Sequence, residues 1–169
     1  RGEPKVTDVI GDTMSEKDIL LFAGSAEKGS EHPLGEAIVR AAIEKGLALE
    51  SPEEFEALPG HGISAVIKGR RVILGNERLM ADRKIGFGRM LKDAEGLSSH
   101  GKTPMFVAID DKAAGIIAVA DTLKEHSKEA VAGLKALGLE VVMLTGDNRR
   151  TAQAIAEELG ITRVLAEVL

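Results

Sequence analysis

Hydrophobic residues recur at three- and four-residue intervals in two neighbouring stretches near the beginning of the chain. The first stretch begins after Ser15, whose side chain suits a helix cap, and continues to Glu27. The second begins at Pro33, which fits the first helical position, and ends at Gly46, which suits the turn after a helix. The pattern therefore predicts two helices joined by a sharp corner at 26–35, with the sequence AEKGSEHPLG.

The pattern around and beyond these helices is typical of strands. The chain begins with an extended run at 1–10, and three short runs after the second helix, separated by glycines and a basic turn, predict an antiparallel meander. Two more runs, on either side of Asp110 and Asp111, predict a hairpin. The predicted strands are 55–58, 63–68, 71–74, 105–109 and 115–119, and helical spacing predicts helices at 76–83 and 88–97.

From Asp121 onward, helices and strands alternate. The predicted order is helix 124–137, strand 140–144, helix 149–159 and strand 163–167. The run at 141–144 is apolar without alternation, which predicts a strand covered on both faces, as in a parallel sheet. We therefore expect an α/β (α+β) fold in which an antiparallel sheet flanked by helices meets a second unit near Asp121.

Composition narrows the range of partners. The 169 residues are 44% hydrophobic and 29% charged, and the net charge of -5 comes without a basic stripe, which argues against nucleic acid as a partner. No apolar run approaches the length of about 20 residues that a membrane-spanning helix needs. There is no Cys, and the four His lack ligand spacing, so we expect no metal site within the chain. All aromatic residues are Phe, so a bound base would have to pack on His32 and aliphatic side chains.

The corner between the first two helices holds polar groups in fixed positions. His32 precedes Pro33, and a helix N-terminus disfavours imidazolium, so a neutral ring is available for stacking and hydrogen bonding. We expect Ser30 or Glu31 to cap the helix. Glu27 is unfavourably placed for the dipole of its own helix, which hints at a function. The simpler alternative is an ordinary corner with a solvated Glu27 and a partly buried His32.

Two glycine motifs lie next to predicted strands. Gly60 and Gly62 come just before a strand, where a missing Cβ lets the backbone approach a ligand. Gly75 and Asn76 form a tight turn after a strand, and the amide could reach a ribose or a phosphate. Ordinary turn geometry is the simpler explanation of both pairs.

Two further motifs could hold phosphate. Residues 96–103, GLSSHGKT, match the letters of a phosphate-binding loop, but a helix precedes them and a β-prone run follows, so we interpret them as a polar helix-to-strand connection. Thr145 and Asp147, in TGDN, follow an apolar strand and open a helix, which is where open α/β sheets bind ligands. Asp147 or Asn148 would cap that helix in any case.

The motifs SEHPLG, GHGI, GN, DTLK and TGDN, in this order and at these intervals, resemble the ATP-binding region of heavy-metal P-type ATPases of the P1B class, most like copper exporters. The resemblance covers essentially the whole chain. It implies a nucleotide-binding domain at 15–120 and, at 121–169, part of a phosphorylation domain with a Rossmannoid, haloacid-dehalogenase-like fold. Residues 1–14 would be a hinge segment that follows the family's DKTGT motif.

The resemblance also implies roles for individual residues. Glu27 and His32 would lie at the adenine, Gly60 and Gly62 would approach the nucleotide, and Ile63 would form an apolar wall. Gly75 and Asn76 would face the ribose or phosphates. In TGDN, Thr145 would hold the phosphoryl group, and Asp147 would belong to the facing nucleotide and Mg²⁺ site.

The implied function is ATP binding in the cytoplasmic domain of an integral membrane protein that couples ATP hydrolysis, through an aspartyl phosphate, to export of a soft metal ion, with copper favoured. Its partners would be ATP, with Mg²⁺ in the intact protein, and the remaining phosphorylation, actuator and membrane domains. Gly2, Pro4 and Val6 resemble residues that follow DKTGT, so the phosphorylated Asp is expected to be missing and the chain alone inactive in phosphoryl transfer.

Two other classes of protein stay open on the sequence alone. A haloacid-dehalogenase-like phosphatase would explain TGD but not SEHPLG, and it would need a nucleophilic Asp in a DxD-type motif that the sequence lacks. A non-enzymatic interaction module would not bind nucleotide at all.

Overall fold

The computed structural model describes residues 3–121, 127–145, 149–166 and 168. The strands are β1 (Pro4–Gly11), β2 (Glu54–Leu58), β3 (Gly62–Ile67), β4 (Arg70–Gly75), β5 (Thr103–Ile109), β6 (Lys112–Asp121), β7 (Val142–Leu144) and β8 (Arg163–Leu165). The helices are α1 (Glu16–Ala26), α2 (Pro33–Glu44), α3 (Glu77–Asp82), α4 (Met90–Ser99), α5 (Ser127–Ala136) and α6 (Arg149–Leu159). Among these residues, no helix is long and apolar enough to cross a bilayer.

An antiparallel sheet organises the chain up to Asp121. Its six strands lie in the order β1-β6-β5-β4-β3-β2, which confirms the predicted meander and hairpin. Asp110 and Asp111 form the hairpin turn with φ angles of 51° and 59°, and β6 begins at Lys112, earlier than predicted. The extended run at the beginning of the chain is β1, which pairs with β6 from Pro4 opposite Asp121 to Gly11 opposite Gly115.

Helices cover both faces of this sheet. On one face, α1 and α2 pack over a cluster of buried residues that includes Ile38, Leu74 and Ile117. On the other face, α3 and α4 cover a second cluster, in which the rings of Phe87 and Phe106 meet edge to face with centroids 4.9 Å apart. Alternate side chains of β4 belong to the two clusters, so β4 is buried on both faces.

The second unit is smaller and more exposed. Strands β7 and β8 pair in parallel, which confirms the predicted βα alternation, and a small cluster of Val131, Ala156 and Ile161 joins them to α5 and α6. The expectation that β7 is covered on both faces is wrong for the described residues, because Val142 is 37% and Leu144 67% exposed. The beginning of the helix predicted at 124–137 and part of the strand predicted at 163–167 lie outside the described residues.

Candidate functional site

The corner between α1 and α2 is built by two caps. Ser15 caps α1 as predicted, and the backbone N–H of Glu27 closes its other end by donating to Ala23 O at 2.9 Å. His32 itself caps α2, because its Nδ1 accepts from the backbone N–H of Leu34 at 3.3 Å. The prediction that Ser30 or Glu31 caps the helix is wrong for the N-cap itself, although Ser30 Oγ accepts from the backbone N–H of His32 at 3.3 Å. An Nδ1 that accepts must be unprotonated, which leaves the ring proton on Nε2.

The exposures of Glu27 and His32 are the reverse of those expected for an ordinary corner, which would have a solvated Glu27 and a partly buried His32. Glu27 is only 3% exposed, whereas His32 is exposed. Among the described residues, Glu27 Oε2 is buried without a hydrogen-bond partner. Burial raises the pKa of Glu27, and the Ser30 hydroxyl partly offsets that rise. A solvated Glu27 is therefore excluded, and the site contains a buried carboxyl of which one oxygen, Oε2, has no described donor.

Gly35 is part of this arrangement, although nothing in the sequence pattern had singled it out as a site residue. A Cβ at Gly35 would lie 2.3 Å from Glu27 Oε2 and 2.9 Å from Ser30 Oγ. The carboxyl therefore occupies the volume that any other residue would fill on the first turn of α2. The Gly at the end of SEHPLG was the available signal.

A second group of predicted site residues gathers where β3 begins and β4 ends. Asn76 Nδ2 donates to Gly60 O at 3.0 Å, and the backbone N–H of Asn76 donates to His61 O at 2.9 Å. Asn76 Oδ1 also caps α3 by accepting from the N–H of Leu79 at 3.0 Å. Asn76 therefore fixes the loop that carries Gly60.

Gly62 and Gly75 face each other across β3 and β4. A Cβ at Gly62 would lie 2.1 Å from Leu74 O, and one at Gly75 would lie 2.3 Å from His61 O. Both glycines are therefore required for the two backbones to approach. Gly60 differs, because its φ is +73° and no described atom lies within 4 Å of where its Cβ would be.

Ile63 connects the two groups through the core. It is 7% exposed and belongs to the same buried cluster as Ala26, the residue before Glu27. The corner and the loop at 59–62, called the glycine loop below, thus flank one apolar cluster on the α1–α2 face of the sheet. A depression of ≈ 390 Å³ also runs along α2, but of the predicted ligand residues it is lined by Glu27 alone.

Thr145 lies in the second unit, directly after β7. Its N–H donates to Leu165 O at 3.0 Å, and its carbonyl accepts from the N–H of Val168 at 3.1 Å. These bonds fix Thr145 at the carboxyl end of the parallel pair, as its motif predicted. Asp147 lies outside the described residues.

The segment that resembles a phosphate-binding loop is a connection. Helix α4 ends at Ser99 and β5 begins at Thr103, so no helix follows the loop to present its N-terminus to phosphate. Lys102 Nζ instead pairs with Asp8 at 2.6 Å and lowers the pKa of that carboxyl. The interpretation as a polar helix-to-strand connection is confirmed.

The sequence relatives are transport ATPases. The copper-exporting P-type ATPase of Bacillus subtilis (strain 168) is 51% identical over 169 residues, which is 99% of this chain and 21% of that protein. The copper-exporting P-type ATPase of Staphylococcus epidermidis (strain ATCC 12228 / FDA PCI 1200) is 47% identical with the same coverage. The chain therefore spans 21% of the length of these relatives.

Solved structures agree with this relationship. A zinc-transporting PIB-type ATPase in its E2.Pi state matches with a TM-score of 0.88 and 39% identity, over 99% of this chain and 27% of the other. The N-domain of HMA6, a copper-transporting P-type ATPase, matches with a TM-score of 0.57 and 29% identity, over 69% of this chain and 98% of that domain.

The sequence profile described as "Hydrolase: haloacid dehalogenase-like hydrolase" matches residues 1–169. The chain therefore belongs to the haloacid dehalogenase-like hydrolase family and is homologous over its whole length to part of the copper-exporting P-type ATPases.

Proposed function

We propose that this chain is the ATP-binding part of a P-type ATPase, with the base of the nucleotide recognised at the corner between α1 and α2. The observation that carries the proposal is the buried carboxyl of Glu27, whose Oε2 has no described hydrogen-bond partner. An unsatisfied buried acceptor costs about 1–3 kcal/mol. A ligand that brings a donor to this carboxyl would offset that cost.

Adenine has the chemistry that this corner requires. Its exocyclic amino group donates, whereas guanine has a carbonyl at the corresponding position, which would face the Glu27 oxygens as a second acceptor. The exposed His32, whose Nδ1 accepts from the N–H of Leu34, offers a flat surface and an Nε2–H donor. The expected preference is therefore ATP over GTP.

Binding requires a local shift of the turn, because Glu27 is 3% exposed. The turn between the two helices contains Gly29, which has a φ of +94° and no described atom within 4 Å of where its Cβ would be. A left-handed glycine in open space gives the turn the freedom to move. We propose that Lys28 and Gly29 move aside when the base binds.

The remaining predicted residues extend the site from the base to the phosphates. Gly60, Gly62 and Ile63 would bring the β2–β3 loop and its apolar neighbour against the nucleotide, with Gly75 and Asn76 on the ribose or phosphate side. Thr145 and Asp147 would act on the phosphoryl group. The described residues contain no group of three or more His, Asp or Glu gathered for a metal ion, so we assign no Mg²⁺ ligand set to them.

The proposed division of the chain follows the two units. Residues 15–120 would form the nucleotide-binding domain and 121–169 part of the phosphorylation domain, while 1–14, proposed as the hinge, also contribute β1 to the sheet of the first unit. The chain contains no DKTGT sequence, so we expect it to bind ATP without forming an aspartyl phosphate.

The whole protein would couple ATP hydrolysis to export of a soft metal ion. Relatives at 47% and 51% identity are named copper-exporting, which favours copper. This chain would then lie in the cytoplasmic part of a membrane transporter, beside the remaining phosphorylation, actuator and membrane domains.

The proposal is tested by titrating the chain with ATP, ADP and GTP and following its backbone amide chemical shifts. ATP and ADP should shift the amides of 27–32 and 60–63, and GTP should shift them much less at equal concentration. Release of inorganic phosphate is measured in the same samples and should stay at the background rate. An unchanged spectrum with ATP would favour an interaction module, and rapid phosphate release would favour a phosphatase.

A further inference from the structure

We propose that Ser30 is a positioning residue for nucleotide recognition, because its hydroxyl lies beside the buried carboxyl of Glu27 and accepts from the backbone N–H of His32. The inference rests on the proposed function and assigns a role to a side chain that would not itself touch the base. It follows from two contacts at the corner and from the charges around it.

The first contact fixes the hydroxyl. The backbone N–H of His32 donates to Ser30 Oγ at 3.3 Å, so one lone pair of the hydroxyl is used by the residue that caps α2. The hydroxyl proton remains available for the carboxyl of Glu27. The hydroxyl lowers the pKa of Glu27 against the larger effect of burial, which raises it.

The second contact closes the space around the pair. Gly35 packs against both groups, since a Cβ there would lie 2.3 Å from Glu27 Oε2 and 2.9 Å from Ser30 Oγ. The hydroxyl, the carboxyl and the first turn of α2 therefore lie side by side.

The Ser30 hydroxyl matters for the ionisation of Glu27 because the nearby cations have other partners. Lys28, next to Glu27, and Arg40, on α2, are engaged elsewhere: Lys28 Nζ donates to Leu49 O at 3.4 Å and to Ser51 Oγ at 3.2 Å, and Arg40 contacts Glu3 at 3.4 Å and Pro4 O at 3.2 Å. The other ionisable groups on α2 and on its flanking segments 28–32 and 45–50 are Glu31, His32, Glu36, Glu44, Lys45 and Glu50, the last paired with Lys68. The Ser30 hydroxyl favours the ionised carboxyl, so it helps to keep Glu27 an acceptor for an amino group.

The test compares Ser30→Ala with Ser30→Thr, which keeps the hydroxyl, and with Ser99→Ala as a matched control. Ser99 also carries a hydrogen-bonded hydroxyl, but it donates to Gly96 O within α4. The pKa of Glu27 is read from the pH dependence of its side-chain carboxyl ¹³C shift without nucleotide, and ATP and GTP affinities are then measured by calorimetry.

In Ser30→Ala we expect the pKa of Glu27 to rise and the ATP affinity to fall by about 2- to 12-fold, the range for one hydrogen bond. The GTP affinity should change much less, so that the preference for ATP narrows. Ser30→Thr should restore both values, and Ser99→Ala should resemble the wild type.

A second pair of variants probes the same corner through packing. Gly35→Ala adds a methyl group where the carboxyl and hydroxyl lie, whereas Gly96→Ala adds one to α4, where no described atom lies within 4 Å. Both lie within helices and lack a left-handed φ, so the substitution itself should favour the helix. Gly35→Ala should narrow the ATP preference, and Gly96→Ala should not.

The outcomes separate this inference from the proposed function. If the wild type prefers ATP and folded Ser30→Ala keeps both that preference and the pKa of Glu27, Ser30 has no positioning role and only the inference falls. If the wild type does not distinguish ATP from GTP, both the proposed function and the inference about Ser30 are wrong.

Discussion

The two units of this chain use similar apolar runs to make strands that differ greatly in burial. Leu74, in β4 of the six-stranded sheet, is fully buried, whereas Leu144, in β7 of the two-stranded sheet, is 67% exposed. Strand β4 lies between β3 and β5 and is covered by helices on both faces, while β8 is the only described strand that pairs with β7. An apolar run thus predicts a strand in both units, but the neighbouring elements decide how much of it is buried.

This difference locates the candidate base-recognition site in the better packed unit. Glu27, His32 and the glycine loop all lie before Asp121, around a core that is complete within the described residues. Thr145 lies in the exposed unit. Recognition of the base should therefore depend little on the second unit, and the comparison can be tested at four levels.

The largest expected effect is on stability, from a matched pair of Leu substitutions. Leu74→Ala should lower the free energy of unfolding by about 2–5 kcal/mol, since it removes buried methyl groups and leaves a cavity. Leu144→Ala should change it by about 0.5 kcal/mol or less. Urea unfolding followed by circular dichroism measures both, because the chain has no Trp or Tyr for fluorescence. Equal costs would remove the distinction between the units.

Hydrogen exchange tests the same distinction without substitution. Amides of β7, β8 and α5 should exchange at least about tenfold faster than those of β4 and β5, a difference of about 1.4 kcal/mol in local opening. We also expect the second unit to gain protection in a chain extended in both directions, because new neighbours would cover Leu137, Val142 and Leu144. Uniform, strong protection across the second unit would contradict this expectation.

The third test compares Gly60 with Gly69, to distinguish a glycine needed for ligand binding from one needed only for a turn. Gly60 and Gly69 have φ values of +73° and +70°, and neither has a described atom within 4 Å of where a Cβ would be. Ala at either position should cost about 1–2 kcal/mol of stability, the strain of a left-handed backbone. Only Gly60→Ala should also weaken ATP binding. Equal ATP affinities of Gly60→Ala and Gly69→Ala in calorimetry would mean that Gly60 is needed only for the turn.

The smallest effect is the pH dependence that the buried carboxyl adds to stability. Because burial raises the pKa of Glu27 above its ordinary value of 4.5, the folded chain binds this proton more tightly than the unfolded chain does. The contribution is fully present below pH 4.5 and is lost as the pH rises through the raised pKa. Glu27→Gln should remove this slope and be the more stable protein at pH 7.

Urea unfolding of the wild type and Glu27→Gln between pH 4 and pH 8 measures this effect, with the exposed Glu31→Gln as control. A Glu27→Gln variant that is less stable at pH 7, with the slope of the wild type intact, would show that the carboxylate is well solvated or paired.

Periodicity and caps predicted most of the fold, because they are local properties. Local sequence was enough to predict the helix from Ser15 to Glu27 and the helix that begins at Pro33. It also predicted the turn at Asp110 and Asp111 and the alternation of helices and strands after Asp121. The burial of β7 could not be predicted in this way, since it depends on which other strands lie beside it.

The sequence predicted which residues lie at the candidate site, but not how exposed they are or what they contact. Sequence placed Glu27 and His32 at one corner, yet their exposures depend on how α1 and α2 pack, and the two came out opposite to the simplest expectation. Gly62 was selected for access to a ligand, whereas the close approach of β3 to β4 already requires it. The proximity of Gly35 and Ser30 to this carboxyl was not predictable from the sequence, which indicated Ser30 only as a possible cap.

The central claim, that the Glu27 corner recognises adenine, is tested most directly by calorimetric affinities for ATP and GTP in the wild type, Glu27→Ala and His32→Gln. The wild type should bind ATP more tightly than GTP. Each substitution should weaken ATP binding by about 5- to 150-fold, the equivalent of about 1–3 kcal/mol for an unpaired polar group, and should leave GTP binding nearly unchanged. Equal affinities of the wild type for ATP and GTP, or an unaltered preference for ATP in Glu27→Ala, would contradict the account.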